Sequence, residues 1–121
     1  MAKILIVDDQ PSIRELLSHI LKKVSTVVTS HSLEDALTTL SVHKFDLVIS
    51  DLRLDRSDGR EGLELLRHIR EASPETKVII MSGYGTEAVK NEASRLGAAC
   101  FIDKPINLSH LLSRVQSLNI G

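Results

Sequence analysis

Short β-branched runs alternate along this chain with stretches whose apolar residues recur three and four positions apart, the pattern of strands and helices laid in turn. The runs are Ile4-Leu5-Ile6-Val7, Thr26-Val27-Val28-Thr29, Leu47-Val48-Ile49, Val78-Ile79-Ile80-Met81 and Ala99-Cys100-Phe101-Ile102. Nearly all are continuously apolar, as strands covered on both faces are. The second, half of it threonine, is the weakest and is expected at an edge. Between the runs, Ile13, Leu16, Leu17, Ile20, Leu21 and Val24 fall on one helical face behind Pro11, which a first turn tolerates. Ser32 is placed to cap a second helix, with Asp35 in a capping-box-like position and Ala36, Leu37 and Leu40 on its buried face. A third helix carries Leu63, Leu66 and Ile69 and stops near Ser73-Pro74, because the residue before a proline leaves helical geometry. Thr86 and Asn107 are the expected caps of the last two helices. Gly97 closes the fourth in a left-handed turn, and Leu108, Leu111, Leu112 and Val115 face inward from the fifth.

Five βα units cannot close an eight-stranded barrel. An α/β fold follows: an open, doubly wound, flavodoxin-like sheet of five parallel strands with five helices on its two faces. In such sheets ligands bind beyond the carboxyl ends of the strands, where the strand order reverses. Four polar interruptions stand at those ends: Asp8-Asp9 after the first strand, Asp51 after the third, Ser82 after the fourth and Lys104 after the fifth. The weak second strand ends instead in Ser30-His31-Ser32, which fits the strand order 2-1-3-4-5 with the second strand outermost.

The length of 121 residues suits one domain, read here as 1–121. Apolar residues at 42% and charged residues at 26% are ordinary globular values, which favour neither a disordered nor a fibrous chain. Fifteen basic against sixteen acidic side chains leave a formal charge of −1, so neither nucleic acid nor an anionic membrane is an expected direct partner. No apolar run approaches the roughly 20 residues that span a bilayer, and Met1-Ala2-Lys3 leads straight into the first strand without a signal-peptide pattern. The expected location is the cytoplasm. Cys100 is the single cysteine, excluding an internal disulfide, and reads as a small buried apolar residue. The five histidines, His19, His31, His43, His68 and His110, form no i, i+4 pair and read as surface residues rather than metal ligands.

Asp8, Asp9 and Asp51 gathered at one sheet edge repel one another unless a cation or a proton intervenes. A hard divalent ion answers that repulsion, and oxygen-only ligation points to Mg2+ rather than to zinc. A carboxylate is also a nucleophile that forms aspartyl phosphates. Phosphoryl transfer needs positioning and charge stabilisation, for which Lys104 offers a mobile ammonium and Ser82 a hydroxyl donor. Taken singly, the aspartates read as helix-start or turn residues, Ser82 as a strand exit and Lys104 as a surface lysine. Their joint placement at the ends of four strands is what turns them into a candidate site.

Val7-Asp8-Asp9, Asp51-Leu52-Arg53, Met81-Ser82-Gly83-Tyr84-Gly85 and Lys104-Pro105 closely resemble the receiver domain of bacterial two-component response regulators, over essentially the whole chain. The resemblance implies a signalling switch rather than an enzyme: Asp51 accepts a phosphoryl group from a sensor histidine kinase or phosphotransfer protein, and the domain catalyses only its own phosphorylation and dephosphorylation. It implies Mg2+ held by Asp8, Asp9, Asp51 and the backbone carbonyl of Arg53, with Lys104 on the phosphoryl group. It implies that Ser82 moves toward that group and draws Phe101 inward. The Lys104-Pro105 bond is expected to be cis. The output is expected through the face of helix four, strand five and helix five, toward an output domain, a downstream protein or a phosphorylation-dependent dimer.

Two departures from the family pattern stand out. The stretch from Leu54 to Gly62 runs longer than the usual loop and has Asp55 where proline is usual; Asp55 and Asp58 read as solvated turn residues. Phe101 stands where many relatives carry tyrosine, so ring movement survives but a hydroxyl contact does not. Arg53 and Tyr84 lie two positions beyond Asp51 and Ser82, where family side chains line the approach to the phosphoryl group. Two other classes remain open on the sequence: a Mg-dependent phosphatase or phosphotransferase with an aspartate nucleophile, and a phosphate-independent interaction module on the same fold. The first needs a substrate pocket, for which only Phe45, Tyr84 and Phe101 offer aromatic walls. The complete acidic set counts against the second.

Overall fold

A computed structural model describes residues 2–54, 60–83 and 85–120. Five βα units follow one another: β1 (Ala2–Val7), α1 (Pro11–Leu21), β2 (Ser25–Ser30), α2 (Leu33–Val42), β3 (Leu47–Asp51), α3 (Glu61–Ala72), β4 (Lys77–Ser82), α4 (Glu87–Arg95), β5 (Cys100–Asp103) and α5 (Leu108–Ser117). The strands form one parallel sheet in the order β2-β1-β3-β4-β5, as the sequence predicts. β2 is an edge strand, which suits the exposed or half-buried state of its four central residues.

Alternate residues of each strand feed two cores. Leu5, Val7, Val48, Val78 and Ile80 meet α2, α3 and α4, while Ile4, Ile6, Leu47, Ile49, Ile79 and Met81 meet α1 and α5. Cys100 is buried in the second core, as expected. The predicted caps are in place. Ser32 Oγ accepts from the Asp35 N–H, Thr86 Oγ1 from Val89 and Asn107 Oδ1 from His110. The Asp35 carboxylate reaches back to the His31 N–H, one residue before the cap. Gly97 closes α4 at φ +103°, where an added Cβ would also strike the Arg70 side chain.

The face expected of the first helix needs correction. Leu17 and Leu21 are buried and Ile13 and Ile20 half-buried, but Leu16 is 41% and Val24 67% exposed. Val24 lies beyond the helix, which ends at Leu21, and periodicity alone does not register that end. All five histidines are exposed. Asp55, Asp58 and Tyr84 lie outside the described residues.

Candidate phosphoryl and metal site

Parallel register brings the site together. Val7 of β1 pairs with Ser50 of β3, so Asp8 and Asp51 leave adjacent central strands side by side. Asp51 pairs with Met81 and Ser82 with Asp103, which places Ser82 one strand further and Lys104 just beyond β5. The Lys104 N–H donates to the Ser82 carbonyl at 2.9 Å, and the Lys104-Pro105 peptide is cis. Strand order reverses between β1 and β3, the crevice where such sheets hold ligands.

The carboxylates of Asp8, Asp9 and Asp51 offer ligand oxygens within 4.8 Å of one another. The Lys104 ammonium bridges two of them, 3.0 Å from Asp8 Oδ2 and 3.2 Å from Asp51 Oδ2. Asp8 is fully buried, and its Oδ1 accepts the Gln10 N–H at 2.9 Å where α1 begins. That bond ties a negative charge to the positive end of a helix dipole. Arg14, which the sequence reading passed over, reaches back from α1 to the Asp8 carbonyl at 2.7 Å. Its place in the first turn of α1, six residues after Asp8, is the signal that could have found it.

Burial pushes the Asp51 carboxyl above its ordinary range; Lys104 pulls it back, Asp8 adds to the rise, and a hydrogen bond from the Arg53 backbone lowers it. Burial and like charge prevail. For Lys104 burial acts downward, but its contacts with Asp8 and Asp51 outweigh it and the pKa stands above its usual value. The site thus holds a carboxylate that burial and like charge make proton-hungry against a firmly charged ammonium, an arrangement that a divalent cation would relieve.

The loop leaving Asp51 is pinched at its base. The Leu52 N–H donates to the Met81 carbonyl, the Gly62 N–H to the Leu52 carbonyl at 2.8 Å, and the Leu54 N–H to the buried Glu61 carboxylate at 3.3 Å. A Cβ on Gly62 would lie 2.6 Å from the Asp51 carbonyl oxygen and 2.7 Å from Leu52 Cα, so glycine is required there. Nothing local in the sequence announces Glu61, whose burial at 5% exposure depends on the folded turn. Ser82 is buried at the end of β4, and Phe101 on β5 is half-buried, with the Lys90 ammonium 5.7 Å from its ring centre.

The family model for the response regulator receiver domain matches residues 4–116. The chain belongs to that family. It is therefore a phosphorylation-activated signalling switch of the two-component type, on a fold shared with its relatives. It is 37% identical over 116 residues to the response regulator protein PilR of Pseudomonas aeruginosa, covering 95% of this chain and 25% of that protein. Sporulation initiation phosphotransferase F of Bacillus subtilis is 33% identical over 116 residues, covering 94% of this chain and 90% of its own length. Among solved structures, the chemotaxis response regulator CheY4 of Vibrio cholerae superposes with a TM-score of 0.86 at 30% identity, over 98% of both chains. This receiver domain thus spans about a quarter of the length of PilR and nearly all of the two smaller relatives. Among the described residues, no helix is long and apolar enough to cross a membrane.

Proposed function

We propose that Asp51 is the phosphoacceptor of this receiver domain and that residues 1–121 act as one switch unit. One observation carries the reading: Asp51 and Asp8 share the Lys104 ammonium at the sheet's reversal point, with the Asp9 carboxylate beside them. An Asp51 oxygen attacks phosphorus; the new P–O bond forms as the P–N bond to a partner's phosphohistidine breaks, and the leaving imidazole takes up a proton. Lys104 exchanges carboxylate contacts for phosphoryl oxygens, and Ser82 donates its hydroxyl to another. The oxygen-only set of Asp8, Asp9 and Asp51, with the Arg53 carbonyl, fits Mg2+, which when bound supplies neutralising charge for the incoming phosphoryl oxygens. The same residues support self-catalysed phosphorylation from small donors and self-catalysed hydrolysis.

The donor is a sensor histidine kinase or phosphotransfer protein in the cytoplasm. Closure of Ser82 and Lys104 on the phosphoryl group rewards one of two arrangements and shifts their populations. The readout is the α4–β5–α5 face, docking a downstream protein, an attached output domain or a second phosphorylated copy. Intact mass after incubation with Mg2+ and acetyl phosphate tests the assignment. One added phosphoryl group, lost in Asp51→Asn and on chelation, is the expected result. An adduct that persists in Asp51→Asn would overturn it.

A further inference from the structure

α4 is fastened by shallow apolar burial and by two ion pairs. Ala93 is the one fully buried side chain of that helix, with Val89 and Leu96 only half-buried. Two ion pairs supplement them. Lys90 reaches Asp103 on β5 at 3.1 Å, and Arg60 Nη2 lies 2.6 and 2.8 Å from the two carboxylate oxygens of Glu92. Arg60 is the residue just before α3, past the loop that leaves Asp51, and its pairing joins points 32 residues apart.

We propose that the Arg60–Glu92 pair is a latch that ties the exit of the acceptor loop to α4 and favours the unphosphorylated arrangement. This rests on the assignment of Asp51 as acceptor. The pair is made in the arrangement where Lys104 still contacts Asp8 and Asp51, and it favours that arrangement over any in which Arg60 and Glu92 are apart. A rearrangement that draws α4 away from the start of α3 must give the pair up. The pinched loop base carries the effect to the site. Glu61 and Gly62, directly after Arg60, hold Leu54 and Leu52 by the hydrogen bonds from the Leu54 and Gly62 amides. A shift of Arg60 therefore moves the backbone on either side of Arg53. The path is contiguous, distinct from the Ser82–Phe101 route, and reciprocal: what α4 does to the site, phosphorylation does to α4. With Arg60 57% and Glu92 24% exposed in their side chains, the pair biases populations by no more than about five-fold.

Beryllofluoride with Mg2+, titrated calorimetrically into the full chain, tests the latch. Arg60→Ala and Glu92→Gln are each expected to bind about two- to five-fold tighter than the unaltered protein. The double variant should gain no more than either single change, and the charge swap R60E/E92R should return toward the starting affinity. Glu92→Gln keeps the test open if Arg60→Ala folds poorly. Unchanged or weakened affinity in both single variants, or additive gains in the double, would overturn the latch while leaving Asp51's role standing. Failure of the unaltered protein to bind more beryllofluoride than Asp51→Asn would remove the acceptor assignment and the latch together.

Discussion

Helices α3 and α4 cover neighbouring strips of the same face of the sheet, yet they are fastened by different means. α3 buries Leu63, Leu65, Leu66 and Ile69, each worth about 1.5–3 kcal/mol when fully withdrawn from water. α4 buries the methyl group of Ala93 and relies otherwise on half-buried contacts and ion pairs. α3 begins against the backbone of Asp51 and Leu52, and α4 follows the loop that leaves Ser82. On the proposed assignment, the acceptor side is thus built on a deeply packed element and the responding side on a shallow one. A switch needs that division, because segments with little buried apolar contact open at the lowest free energy.

The largest effect that tests the contrast is a cavity in α3. Leu66→Ala is expected to cost about 2–5 kcal/mol in urea unfolding, through lost transfer energy and the void left behind. Ala93→Gly in α4 should cost only about 1–2 kcal/mol, from helix propensity and one methyl group. Equal costs would mean that α4 is anchored as deeply as α3.

Next in size is Gly62→Ala, which attacks the junction of α3 with the acceptor loop. The new Cβ meets backbone rather than a flexible side chain, so the Asp51–Leu52 segment must shift. Alanine's better helix propensity offsets about 1 kcal/mol of that strain. A net loss of about 1–3 kcal/mol is expected, with slower adduct formation from acetyl phosphate followed by mass. A variant of full stability and unchanged rate would show that the close approach does not fix the acceptor.

The deeply packed and the shallow sides were not equally legible in the sequence. The strands, their order and the carboxyl-end cluster were readable because buried parallel strands are continuously apolar, and because polar residues with ordinary explanations one by one fall together at the ends of four of them. Caps were readable because Ser32, Thr86 and Asn107 act on neighbours three positions away. Leu16 and Val24 misled because periodicity gives a face but neither its depth nor where the helix stops. For α4 only the ends were readable; its shallow packing, the buried Glu61 and the Arg60–Glu92 pair are products of tertiary approach, to which local patterns are blind.

The smallest expected effect lies in the acceptor's own charge and separates the cost of the site from that of the helices around it. Burial, with Asp8 adding to it, raises the Asp51 pKa in the folded chain above its unfolded value near 3.8. Between those two values the folded state binds more protons than the unfolded one, so stability falls as pH rises through the window; above it the full penalty of the buried ionised carboxylate remains. Asp51→Asn removes that ionisation while Asp8 retains the Lys104 ammonium. Without divalent metal, the variant should therefore melt above the unaltered protein at pH 7. The gap should close as pH is lowered toward and below 3.8, where the unaltered side chain is protonated in both states. Saturating Mg2+ should shrink the gap from the other direction, because the ion stabilises the folded protein whose carboxylate it binds. A variant that melts no higher than the unaltered protein at pH 7 would mean that Lys104 fully offsets the buried charge, leaving no electrostatic strain at the end of β3 for a divalent cation to relieve.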